Sequence, residues 1–313
     1  MKKMEMILGN TKLTFAIDKI KVIKGSNYWL KYTMYQLIKG KCKKKSEYQI
    51  EQYQQNVLIN GDELRIKSES IFDVHPFFSL EDDLKLGTKS LSYRYINCIL
   101  EDEVFFDVKN TIQILLQTFE EELNGVDDNF KINLSECTNS MLIKFMKPYF
   151  MVDGYVVNES DLNYEQHLLF QLKMIKKIIE QSLNDTILLI TVEELTTSLL
   201  EEIKTIKSTY TLIFTNHSCV IQDLNMLYYV NKNNAFDFSD LSFMYESICL
   251  NTGYLWSEEE LKMNLIDYFN GIRNEQTIII DNQINKKICK IKNKSFCYHM
   301  KMNYLVIIKD VIY

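Results

Sequence analysis

Phosphate chemistry needs a strand, a tight turn, a lysine and a hydroxyl in that order, and the segment Ile20 to Tyr32 (IKVIKGSNYWLKY) comes close to supplying them. A working phosphate-binding loop reads G-x-x-x-x-G-K-S/T between a strand and a helix. Gly25 holds the first glycine position and Lys31 the lysine. Leu30 stands in place of the second glycine and Tyr32 in place of the Ser or Thr. That glycine lets the backbone close round the phosphates, which a leucine side chain obstructs. The hydroxyl ligates Mg²⁺, for which a bulky phenol is a poor substitute. Tyr28 and Trp29 crowd the same cradle. The loop is therefore expected to be degenerate, with no nucleotide bound and no enzyme activity. The alternative is an active P-loop NTPase of SMC-like type with an unusual loop. ATP turnover that disappears on Lys31→Ala would favour it.

Other chemistry is sparse. In P-loop ATPases of ABC and SMC type, one strand ends in an acidic pair and the next in a switch histidine. Here TILLIT leads to Glu193 and Glu194, and TLIFT leads to His217. The acids come late and read as first-turn helix residues, and a lone histidine at a strand end is usually structural. The seven cysteines (42, 98, 137, 219, 249, 289, 297) form no C-x-x-C, and the four histidines are scattered. Neither a zinc site nor a Cys-His nucleophile pair follows from their spacing. Reduced thiols in a cytoplasm are the expectation.

The formal net charge is −6, a mild argument against a polyanionic partner, but the charges are segregated. From Lys19 to Lys45 there are nine lysines and no acid; from Asn282 to Ile308 there are six more and again no acid. From Glu101 to Glu136 there are ten acids and two lysines. Such a pattern gives one molecule a basic and an acidic face. Lys39, Lys41, Lys43, Lys44 and Lys45 are candidate phosphate contacts, with Lys173, Lys176 and Lys177 as a second patch. Phosphate contacts by lysine need no sequence code and are salt-sensitive.

The elements that must position these residues read as α/β. Strands are expected over 5–8, 13–17, 20–24 and 64–74, and a helix over 27–39 with Gly40 as its stop. Residues 41–63 read as a polar excursion. Helices follow over 104–123, 135–147 and 161–183, with Ser79 as a further cap. In 161–183, Leu168, Leu172, Ile175 and Ile179 form one apolar stripe. Ordinary packing explains that stripe, and a purely structural interaction protein would use it for a partner. Continuous apolar strands at 186–190 and 210–215, joined by helix 193–207, imply a parallel pair covered on both faces. Thr191 with Glu194, and Ser257 with Glu260, read as capping boxes. The tail, 276–311, alternates short β-like runs with lysine-rich turns. With two prolines and nine glycines, long linkers are not expected. Neither a secretory leader nor a membrane span is expected.

Taken in order, these segments resemble the long-form Csn-two proteins, accessory spacer-acquisition proteins of type II-A CRISPR systems. IDKIKVIKGSNYWLKYTMYQLIKG, ESIFDVHPFFSLEDDLKLGTKSL, FFDVKNTIQILLQTFEEELN and NDTILLITVEELTTSLLEEIKTIKSTYTLIF carry the resemblance, over roughly residues 1–245. It implies a degenerate P-loop head related to ABC and SMC ATPases, at 1–80 and 184–313, with an α-helical extension at 81–183 inserted into it. It further implies a ring-like homotetramer that binds ends of linear double-stranded DNA without hydrolysing ATP. The implied partners are the integrase proteins and the RNA-guided effector nuclease of the same locus. Calcium is implied in the helical extension, where Glu121, Glu122, Asp127, Asp128 and Glu136 offer hard oxygen ligands without EF-hand spacing.

Overall fold

The computed structural model describes residues 1–8, 11–41, 55–64, 66–127, 129–182, 184–215, 219–230, 235–242, 245, 255, 257–269, 278–282, 287–291, 298–301 and 304–307. Lys43, Lys44, Lys45, Asp128 and His217 lie outside the described residues, as does the side chain of Lys41. The chain divides into two compact units, one of Met1–Asp73, Asp185–Glu201 and Ser208–Tyr313, the other of Val74–Asn184 and Glu202–Lys207.

The first unit begins with β1 (Lys2–Leu8), β2 (Thr11–Ile17) and β3 (Ile20–Lys24). Helix α1 (Tyr28–Lys41), β4 (Gln55–Ile59), β5 (Asp62–Glu63) and β6 (Ile71–Val74) follow. The second unit holds α2 (Leu80–Lys85), α3 (Leu91–Leu100), α4 (Phe106–Val126), α5 (Asn139–Phe145), the hairpin β7 (Phe150–Val152) and β8 (Tyr155–Val157), and α6 (Tyr164–Glu180). The chain then returns through β9 (Ile187–Val192), α7 (Thr197–Thr205), β10 (Tyr210–Thr215), β11 (Leu227–Val230), β12 (Ala235–Asp237) and α8 (Glu258–Phe269). Four tail strands pair as two antiparallel hairpins, Ile278–Asn282 with Lys287–Ile291 and Tyr298–Lys301 with Tyr304–Ile307.

Besides the two tail hairpins, two larger sheets build the first unit. One is antiparallel, in the order β2-β1-β4-β5. The other runs β12-β11-β3-β10-β9-β6, with β11, β3, β10 and β9 mutually parallel and β12 antiparallel at its edge. Every residue of β10 is buried, as central parallel strands require. Met4, Met6, Leu13, Phe15 and Ile17 of the antiparallel sheet share one core with Leu30, Met34, Leu37 and Ile38 of α1 and with Ile23, Leu189, Leu212, Phe214 and Tyr228 of the parallel sheet. Lys21 is fully buried between them. Its ammonium donates to Asp237 Oδ1 at 2.5 Å and to the Asn225 carbonyl at 2.9 Å. Asp237 Oδ2 in turn accepts from the Ala16 amide at 2.5 Å. One carboxylate thus joins β12, β2 and β3.

In the second unit, Ser79 caps α2 and Ser90 caps α3. The Asn163–Gln166 capping box opens α6, with Leu168, Leu172, Ile175 and Ile179 all buried. Gln171 is buried too, its amide donating to the His75 and His167 carbonyls and its oxygen accepting from the His75 amide. Among the described residues no helix is long and apolar enough to cross a membrane.

Three local readings need correction. Gly40 does not stop α1: a Cβ there would meet nothing within 4 Å and its φ is not positive, so it is an ordinary helical residue. The polar stretch before residue 64 contains β4, held by β1 through Met4↔Ile59 and Met6↔Val57. Thr191 lies in β9 and not at a helix start; the α7 amide of Leu199 donates to Thr196 Oγ1 instead, at 3.3 Å.

Candidate functional site

The site is built where β3 turns into α1. Gly25 has φ 128°, and a Cβ there would lie 1.9 Å from the Val230 carbonyl oxygen, so the close approach of β11 admits glycine alone. Asn27 Oδ1 accepts from the Leu30 amide at 2.9 Å, which caps the helix early. Helical structure therefore begins at Tyr28, three residues after Gly25. This changes the expected role of Leu30. It lies in the first turn of α1 and packs into the core, instead of obstructing a loop. Only Ser26 and Asn27 separate Gly25 from the helix, and two residues make no phosphate-sized cradle.

Lys31 is turned into the protein. It is 5% exposed, and its ammonium donates to the Gly25 carbonyl at 2.5 Å and to the Thr215 carbonyl at 2.9 Å. It also lies 4.9 Å from the centre of the Tyr28 ring. The lysine thus ties the C-terminal ends of β3 and β10, taking backbone oxygens where a nucleotide lysine takes phosphate oxygens. Burial, with a smaller contribution from the Lys24 charge, pushes its pKa down to about 8. Glu193 and Glu194 are not helix residues: they follow β9 in a loop, both exposed.

Of the lysines proposed for phosphate, Lys39 already has a carboxylate. Its ammonium lies 2.6 Å from Asp73 Oδ2 and donates to the Tyr35 hydroxyl at 2.9 Å. Tyr35 donates to the same carboxylate, and burial, then that bond, raise its pKa. The sequence offered no sign of this trio, because Asp73 arrives from β6. Lys173 is exposed on α6, 5.7 Å from the Phe170 ring centre, while Lys176 lies 3.7 Å from Glu202. Lys177 is half-buried on the same helix.

Among the described acids near the end of α4, Glu136 stands apart from the others. Glu121, Glu122 and Asp127 are exposed there, and Asp127 Oδ1 accepts from the Asn129 amide at 2.7 Å. Glu136 lies on the segment that returns along α4, next to Cys137, whose amide donates to Gln113. Gln113 is two helical turns before Glu121, about 12 Å at ~1.5 Å per residue. Among the described residues, no group of three or more His, Cys, Asp or Glu side chains is placed to hold a metal.

No known protein family's profile matches the chain, and no curated protein matches it. Among solved structures, the crystal structure of Stu0660 of Streptococcus thermophilus, a Csn-two protein, is similar at a TM-score of 0.66. The match covers 86% of each chain at 18% sequence identity. The fold is Csn-two-like. At that identity the likeness is one of backbone architecture, so the Lys31 tie and the Lys39–Asp73 pair are features of this chain's own side chains within a Csn-two-like fold.

Proposed function

We propose that the protein is a non-catalytic binder of double-stranded DNA ends, acting in CRISPR spacer acquisition as a ring-like homotetramer. The observation that carries this reading is the Csn-two-like fold over 86% of the chain. The long-form assignment rests on the order of motifs in the sequence alone; the fold match is to a Csn-two-like architecture. A head related to the P-loop ATPases is part of this reading, and the parallel β11-β3-β10-β9 core supports it. Absence of turnover is supported by Lys31, whose ammonium already has carbonyl acceptors within the strand ends.

Self-association is supported by α4. None of its 21 residues is buried, yet Val108, Leu115, Phe119 and Val126 lie on one line of the helix, each more than half exposed. Such a face is stable when another helix covers it, and a second copy supplies an identical one. In this reading Lys41, Lys43, Lys44, Lys45, Lys173, Lys176 and Lys177 meet the phosphate backbone, and Lys39 does so less because of Asp73. Calcium fits the carboxylate chemistry of Glu121, Glu122, Asp127, Asp128 and Glu136 but not a single-ion geometry among the described members, so no step depends on it. The integrase proteins and the effector nuclease are the proposed partners, in the cytoplasm.

The deciding experiment is a gel shift at low salt with linear and closed-circular duplexes of equal length. Preferential binding of the linear form is expected. Equal, weak binding of both ends the proposal, and ATP turnover lost in Lys31→Ala would replace it with an NTPase.

A further inference from the structure

The first turn of α1 presents three large aromatic side chains to solvent: Tyr28 at 59%, Trp29 at 71% and Tyr32 at 62% exposure. Positions three and four apart on a helix are neighbours, so Tyr32 lies beside both Trp29 and Tyr28 and joins them in one patch. The patch cannot turn inward, because Leu30, Met34, Leu37 and Ile38 fix the opposite face of α1 in the core. Tyr35, one turn on, shows the contrast: its ring meets Phe214 edge-on at 5.9 Å and its hydroxyl is held by Asp73.

The surroundings say what covers such a patch. It sits inside the run from Lys19 to Lys45, which has nine lysines and no acid, although Lys21 and Lys39 are already paired with Asp237 and Asp73. The Lys31 ammonium lies 4.9 Å from the Tyr28 ring beneath it, Lys24 ends the preceding strand, and the helix N-terminus adds its own positive dipole. The occupant is therefore anionic and offers a flat π face. The apolar face of α4, in contrast, lies in the acid-rich segment Glu101 to Glu136, where a polyanion is repelled.

We propose that Tyr28, Trp29 and Tyr32 form a stacking platform for an exposed nucleobase face at a DNA end. This rests on the DNA-end reading above and gives it a physical basis. Within a closed duplex each base face is covered by its neighbours. A face is free only on the terminal pair or on an unpaired overhang. Aromatic stacking accepts every base, so the platform selects ends without reading sequence.

The test uses the full chain carrying Trp256→Phe, so that Trp29 is the sole tryptophan. Its emission is followed during titration with a blunt linear duplex, a duplex with a single-stranded overhang, and the same duplex closed at both ends by hairpin loops. Gel shifts run in parallel. Quenching by an open-ended duplex and not by the closed one is expected; which open form quenches more identifies the terminal pair or the unpaired base. Trp29→Ala with Tyr32→Ala weakens open-end binding by about 10-fold or more, while Trp29→Phe with Tyr32→Phe retains it. DNA binding with unchanged Trp29 emission, or an alanine variant that binds ends as tightly as the parent, overturns the platform and leaves the DNA-end reading standing. An alanine variant that loses self-association, in a protein whose Trp29 emission ignores DNA, overturns it in favour of a subunit contact. No DNA binding by the parent chain overturns both.

Discussion

Lys31 carries a charge into a place where burial opposes it, and pH reveals that. Its folded-state pKa of about 8 lies below the ordinary lysine value of 10.5. Holding the ammonium charged in the fold at pH 7 costs about 3 kcal/mol by linkage, at ~1.4 kcal/mol per unit. A base whose folded pKa is depressed contributes stability that is complete above 10.5 and lost as pH falls through 8, so stability rises with pH across that window. Lys21, also lowered by burial, acts in the same direction. The buried Tyr35 and Tyr228 hydroxyls are raised above 10 and act oppositely at higher pH, which makes pH 7 to 10 the informative range. Urea unfolding of the parent and of Lys31→Met should show the parent gaining about 2 kcal/mol relative to the variant from pH 7 to pH 10. A gap that does not change with pH would show that Lys31 titrates as an ordinary lysine. At this scale the sequence displayed the pair Gly25 and Lys31 but not what Lys31 binds. Its second acceptor, the Thr215 carbonyl, is 184 positions away and becomes a neighbour only through the parallel pairing of β3 and β10.

Helix α4 makes the prediction that belongs to elements. Changing Leu115 and Phe119 to lysine removes two residues from its exposed stripe. Since no residue of α4 is buried, circular dichroism should be nearly unchanged, and any fall in the unfolding midpoint should come from the lost assembly and so depend on protein concentration. Sedimentation velocity should instead show a smaller assembly. An unaltered oligomer would remove α4 from the interface. Elements with a strong internal signal were legible in advance. The continuous apolar runs of β9 and β10, the α6 stripe and the Ser257–Glu260 box all lie where periodicity and caps put them. Elements whose signal is shared or long-range were not. Thr191 reads as a cap in sequence, but the pairing of β9 with β10 through Val192 and Thr215 keeps it in the strand and leaves the capping to Thr196. Strand β4 (QNVLI) stands at the end of a polar stretch in sequence, and its pairing with β1 brings Val57 into the core.

For the whole molecule, charge distribution predicts how DNA binding responds to salt. Each phosphate neutralised by a lysine steepens the fall of log K with log salt by about 0.9. Lys173→Ala should therefore weaken binding and flatten that slope by about one. Lys39→Ala should change it less, since Asp73 already lies 2.6 Å from that ammonium. Equal effects from both would mean that the Lys39–Asp73 pair opens on DNA. The order of the parallel sheet also sets a timetable for synthesis. Strand β3, ending at Lys24, lies between β10, which begins at Tyr210, and β11, which begins at Leu227. At ~5–20 residues per second a ribosome takes about 10–40 s to cover that interval. Throughout it the nascent chain holds Val22 and Ile23, both fully buried in the finished fold, without their flanking strands. All of the second unit except Glu202–Lys207 emerges before β10 and β11, so most of it is available to fold while the first unit still lacks two of its central strands.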